Sequence, residues 1–82
     1  MVDVRTRLVQ CFGAAFPDLD EREIPNISVS SVASWDSVAT VTLVALVEEE
    51  FGVHVRPDDL EQFCAFGLVL DYVEDRTGVD AA

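Results

Sequence analysis

Residues 36–52 read Asp36-Ser37-Val38-Ala39-Thr40-Val41-Thr42-Leu43-Val44-Ala45-Leu46-Val47-Glu48-Glu49-Glu50-Phe51-Gly52. Apolar residues dominate this stretch, and neither proline nor glycine interrupts it before Gly52. The pattern predicts a helix from about Ser37 to Glu50 that ends near Gly52. On a wheel of about 100° per residue, Leu43, Val44, Val47 and Phe51 gather on one side, as a stripe that packs against another helix. Val38, Val41 and Ala45 gather on nearly the opposite side, flanked by Glu48 and Glu49, with Thr42 beside them. A helix on the surface of a small domain needs one apolar stripe. A second stripe means either that the helix is central and packed on both sides, or that this face docks on other proteins, with the glutamates as its charged rim. A domain of this size cannot bury every face of such a helix, which favours docking.

Working outward, Val4, Leu8, Phe12 and Phe16 recur every four residues, with Cys11 and Ala15 filling the stripe. They predict a first helix over about Asp3 to Phe16, closed from outside by Pro17. Residues 17–36 read as a long connection, because Pro17, Pro25, Asn26 and a run of serines break any period. A connection this long is unusual in a compact domain and is often functional. Ile24, Ile27, Val29 and Val32 are expected to pin it to the core. The alternation Ile27-Ser28-Val29-Ser30 admits a strand over Ile27 to Val32, with no second strand evident to pair with it. A short helical turn is expected after Pro57, which suits a first helical position, with Asp58 and Asp59 at the positive end of its dipole. The last helix covers about Gly67 to Arg76. Leu68 or Val69, together with Tyr72 and Val73, supplies its inner face, and Gly78 stops it. The chain is therefore expected to be all-α.

Eighty-two residues, half of them apolar, form one domain spanning residues 1–82 that can fold alone but only marginally. No apolar run is long enough to cross a bilayer, and Met1-Val2-Asp3-Val4-Arg5 lacks the form of a signal peptide, so a cytoplasmic protein is expected. Sixteen acids face five arginines, without a lysine, for a net charge of −11. This balance argues against nucleic acid and anionic membranes, and favours basic partners with fast, salt-sensitive association. Cys11 and Cys64, far apart among apolar neighbours, read as small buried hydrophobes rather than a disulfide. His54 is the single histidine, and no Cys/His spacing suggests a metal site. Cys11, Cys64 and His54 are the few candidates for catalysis beside the Asp58–Asp59 pair. Adjacent acids on a short helix point apart, so an enzyme is not expected.

Ser37 has two readings. A serine opening a helix is commonly its N-cap, worth about 1 kcal/mol, though Asp36 can cap instead and leave the hydroxyl free. Alternatively the hydroxyl carries a phosphate, which would face open backbone N–H groups and the positive end of the helix dipole.

The run from Asp36 to Gly52 resembles the second helix of the acyl carrier protein family, in which an Asp-Ser-Leu-like motif opens that helix. The likeness extends through Val53 to Asp59 and through Phe66-Gly67-Leu68-Val69-Leu70-Asp71-Tyr72-Val73, while the first thirty or so residues are similar only in pattern. The resemblance implies a four-helix bundle with a long loop between helices 1 and 2 and a short third helix. It implies that Ser37 receives 4′-phosphopantetheine from coenzyme A through a phosphopantetheinyl transferase. The arm then carries acyl groups as thioesters, and the chain itself catalyses nothing. Asp36, Val38, Val41, Ala45, Glu48 and Glu49 are the implied partner-binding residues, for acyl-loading and acyl-transferring enzymes with basic docking surfaces. Asp36 is also implied to help hold the metal that the transferase uses. A monomer is expected, because delivery requires an accessible arm.

Departures from the family pattern are informative. Val38 stands for the more usual leucine, Ala39 and Thr42 lack the acidic residues common in fatty-acid-synthesis carriers, and Phe66 replaces a smaller aliphatic. Trp35 is similar to stand-alone carriers of specialised pathways. These residues imply a dedicated carrier in a specialised lipid or polyketide-type pathway. The alternative is an unmodified acidic module that docks through the same helix. If acyl chains are sheltered, Leu46, Phe63, Phe66 and Leu68 are the expected lining, unless the two phenylalanines fill that space.

Overall fold

The computed structural model describes residues 3–77. Helix α1 spans Val4–Ala15, and the Asp3 carboxylate caps it by accepting the Thr6 N–H at 2.8 Å. That bond holds the Asp3 carboxyl below its ordinary range. Val4, Leu8, Cys11 and Phe12 form its buried face, as the four-residue spacing predicts. Helix α2 spans Ser37–Phe51 and closes on Gly52, whose φ of 66° lies in the left-handed region that a side chain resists. The Gly52 N–H returns to the Glu48 carbonyl at 2.9 Å. A short 3₁₀ helix, Pro57–Gln62, carries Asp58 and Asp59 in its first turn, and α3 spans Phe66–Thr77. Gly78, expected to stop α3, lies outside the described residues.

The core is a ring cluster joined to aliphatic stripes. Phe12 meets Phe66 edge-on with centroids 5.1 Å apart, and Trp35 at 5.5 Å. Leu43 and Val47 of α2 and Val69 and Val73 of α3 are fully buried around it. Between the two inner-face candidates of α3 the structure selects Val69; Leu68 is exposed. Burying such side chains contributes about 1.5–3 kcal/mol each, the main force holding the helices together.

Two polar clamps tie the helices at their edges. Arg7 on α1 donates to the Glu50 carboxylate at 2.7 Å and to the Glu50 carbonyl at 2.6 Å, with its guanidinium 4.7 Å from the Phe51 ring centroid. Three glutamates at the negative end of the α2 dipole oppose helix formation, and this cation offsets them. Tyr72 donates its hydroxyl to Asp59 at 2.8 Å, and Arg76 donates to the same carboxylate oxygen at 3.1 Å. Asp59 thereby binds the short helix to α3. Burial, and then the bond to Asp59, push the Tyr72 phenol above its ordinary pKa.

The connection between α1 and α2 contains a 3₁₀ turn at Ile24–Asn26 that the sequence pattern did not indicate. Ile24, Ile27 and Val32 are buried as expected, but Val29 is not: it stays 41% exposed. The reason is a backbone pairing. The Val29 N–H donates to the Cys64 carbonyl at 2.8 Å and the Phe66 N–H to the Ile27 carbonyl at 3.1 Å, around an isolated antiparallel bridge between Ser28 and Ala65. The alternation of residues 27–30 is thus one bridge, and no strand forms among the described residues.

Candidate functional site

The entry to α2 is built from Trp35, Asp36 and Thr40. Asp36 has an extended backbone, and its carboxylate accepts the Ala39 N–H at 2.8 Å. The Asp36 carbonyl accepts both the Thr40 N–H, at 2.9 Å, and the Thr40 hydroxyl, at 3.0 Å. The Trp35 indole N–H donates to that same hydroxyl at 3.0 Å. Only 2% exposed, Trp35 packs its ring on Phe12 and Phe16. Its role in fixing the start of α2 went unseen in the sequence, where a lone tryptophan in a polar loop lacks a periodic signal.

Because Asp36 is the cap, Ser37 is released from that task. It is the first residue of α2 and is exposed. Its hydroxyl makes no hydrogen bond among the described residues, and the backbone N–H groups of Ser37 and Val38 are likewise open there. The result is a free alcohol at the positive end of a helix, beside two unused donors. Such a place suits an anion esterified to the serine.

Along the outer face of α2, Val38 is 72% and Val41 65% exposed, and Ala45 is also exposed. The helix therefore keeps its second apolar stripe in solvent while Leu43 and Val47 serve the core. Thr42, also exposed, donates its hydroxyl to the Val38 carbonyl at 3.2 Å. Glu49 is exposed, as a rim residue requires. Glu48 is not a free rim acid: its carboxylate accepts the Val55 N–H at 2.9 Å and lies 3.6 Å from His54 Nδ1. It pins the chain that leaves α2, a long-range role that helical spacing cannot reveal.

The expected acyl-lining residues do not come together. Phe63 and Phe66 are each 1% exposed and fill the interior, Phe63 against Tyr72 at 5.7 Å and Phe66 against Phe12. Leu68 is exposed, and Leu46 borders a groove of about 210 Å³ with Cys11, Ala14 and Glu49. A broader groove of about 620 Å³ lies by the start of α1, between Arg5, Val9, Arg22 and Pro25.

Cys11 is buried as expected, and burial pushes its thiol up to about 11. Cys64 departs from expectation: it is exposed, and both thiols are unpaired. Among the described residues no cluster of His, Cys, Asp and Glu could hold a metal ion, and no helix is long and apolar enough to cross a membrane.

No family model matches the chain. Over 56 residues it is 30% identical to an acyl carrier protein of Thermosynechococcus vestitus, an overlap of 68% of this chain and 69% of that relative. The chain belongs to the acyl carrier protein family. Its all-helical architecture is consistent with the acyl carrier fold, in which α1, α2, the 3₁₀ helix Pro57–Gln62 and α3 supply four helices. Acyl carrier proteins are not themselves enzymes, and they work by interacting with enzymes. Among the described residues no hydrogen bond aims a base at Ser37.

Proposed function

We propose that residues 1–82 form one monomeric, cytoplasmic carrier domain that holds acyl groups on a 4′-phosphopantetheine arm esterified to Ser37 and presents them to enzymes in turn. The observation that carries this reading is the Ser37 hydroxyl itself. It is exposed at the mouth of α2, and Asp36 has taken over the capping bond to the Ala39 N–H. The residues present fit the group. A phosphodiester at Ser37 would lie against the open N–H groups of the first turn, where the helix dipole favours negative charge.

When attached, the arm supplies a thiol that holds the acyl group as a thioester. The chain's own part is mechanical. Asp36 and Trp35 keep the start of α2 in one geometry, and the exposed face that runs from Val38 through Val41 to Ala45 offers adjoining surface for recognition. Tethering on a short flexible link raises the effective concentration of the cargo to the order of millimolar. The partners proposed are a phosphopantetheinyl transferase, which draws on coenzyme A, and enzymes that load and transfer acyl groups. Ala39 and Thr42, uncharged beside the serine, favour a dedicated carrier of a specialised lipid or polyketide-type pathway over a general fatty-acid carrier.

Incubation with coenzyme A and a broad-specificity transferase, followed by intact mass measurement, tests the proposal. The chain is expected to gain the mass of one arm, and Ser37→Ala to gain none. An unmodified wild type, or a modified Ser37→Ala, refutes it and leaves an acidic interaction module that docks unmodified.

A further inference from the structure

A chain with a net charge of −11 predicts basic partners, but the face beside Ser37 is built differently. No ionisable side chain occurs between Ser37 and Val47. Val38 and Val41, at 72% and 65%, are the most exposed large apolar side chains among the described residues. Thr42 spends its hydroxyl proton on the Val38 carbonyl.

The acids nearby stand at the two ends of the helix, Asp36 before Ser37 and the glutamates after Val47, and the middle of the face between them is uncharged. A bond to a backbone N–H orients a carboxylate but leaves it its charge. The Asp36 carboxylate accepts the Ala39 N–H, that of Glu48 the Val55 N–H, and that of Glu50 the Arg7 guanidinium. Glu49 is the acid of this helix that keeps a free carboxylate among the described residues. At about 1.5 Å of rise per residue it stands about 18 Å along the axis from Ser37. A patch of lysines and arginines seated on this face would strip water from its cations against valine methyl groups. No counter-charge would be returned over most of the contact. An apolar depression would instead remove the same methyl groups from water at no such cost.

We propose that the partner surface received by α2 is apolar and uncharged, a depression that takes the Val38 and Val41 side chains. This rests on the carrier reading and specifies the chemistry of the partner at that same site. The overall negative charge acts on solubility and on distant approach, whereas contact is made through valines. Docking at this face is therefore insensitive to salt, contrary to what composition alone predicts.

The transferase that must reach Ser37 is the partner available for a test. Transfer from coenzyme A at saturating concentration gives the KM for the protein, measured with a broad-specificity phosphopantetheinyl transferase at 50 and 500 mM NaCl (about a tenfold range, over which screening lengths fall from about 14 to about 4 Å). The KM is expected to rise less than threefold with salt, and Val41→Asp to raise it more than fivefold at either salt concentration. A salt effect of threefold or more, or a Val41→Asp effect of fivefold or less, overturns the inference. Should Val41→Asp fail to fold, Val41→Thr, which keeps the side-chain shape, is expected to raise the KM more than twofold, and a smaller change overturns it equally. Absence of any mass gain by the wild type refutes the carrier reading itself, and this inference with it. Transfer with the wrong salt or Val41 dependence refutes the inference alone.

Discussion

Replacing Asp36 and Ser37 separately distinguishes the residue that holds the helix from the residue that is modified. In Asp36→Ala the bond from the Ala39 N–H, 2.8 Å long, is lost, and one donor of the first turn goes without its partner. Losses of this kind cost about 1 kcal/mol, within a range of about 0.5–2. For a domain of this size each kcal/mol lowers the melting temperature by about 4–8 °C. Asp36→Asn keeps an acceptor of nearly equal capping strength and is expected to melt within about 2 °C of the wild type. Ser37→Ala removes a hydroxyl without a hydrogen-bond partner among the described residues and places the best helix former at an exposed helical position. Its change is expected to stay within about 0.5 kcal/mol. The assay is thermal melting followed by circular dichroism at 222 nm, on unmodified protein, with all variants in one buffer. The reasoning fails if Ser37→Ala melts as low as Asp36→Ala, because the serine would then be the cap and its hydroxyl would not be free. It fails also if Asp36→Ala melts like the wild type.

Further outcomes follow from the thiols, the phenol and the acidic surface. At pH 8 a thiol-specific disulfide reagent is expected to titrate one cysteine quickly, the exposed Cys64, and to reach Cys11 only after unfolding, since burial lifts that thiol to about 11; two fast thiols would contradict the packing of α1 on α2. The folded Tyr72 phenol titrates above the unfolded value of 10.0, so the stability it contributes is complete below pH 10 and is lost as pH rises through its folded pKa. Tyr72→Phe is expected to cost about 1.5 kcal/mol at neutral pH through the lost bond to Asp59 and to flatten the alkaline limb; an unchanged limb in the variant would refute the link. With sixteen acids on a small surface, 0.3 M salt or millimolar divalent cations are expected to raise the melting temperature, and a flat response would mean that the arginine clamps already neutralise the worst repulsion.

The elements were legible where one physical signal acts locally. Apolar spacing marked α1 and α2, the left-handed preference of glycine marked the end of α2 at Gly52, and Pro57 marked the start of the short helix. The exposed stripe of Val38, Val41 and Ala45 was legible for the same reason, as a helix has only so many faces to bury. What escaped notice depends on partners remote in sequence. Val29 is turned outward by its backbone bond to Cys64, and Glu48 is drawn to the Val55 N–H. The sequence left open whether Phe63 and Phe66 line a space or fill it, and their packing on Tyr72 and Phe12 decides for filling. Trp35 was conspicuous, but its bond to Thr40 and its packing on Phe12 are facts of the folded chain.

The bridge between Ser28 and Ala65 also divides the long connection in two. Pinned at its middle, the segment behaves as one loop over residues 17–26 and another over residues 30–36, of about ten and about seven residues, lengths ordinary for compact domains. Extra residues spliced in near Asp18 to Glu21 would slacken the first loop alone. The geometry at Ser37 is thus mechanically insulated from variation upstream, as a hinge pin isolates a door from the wall behind it.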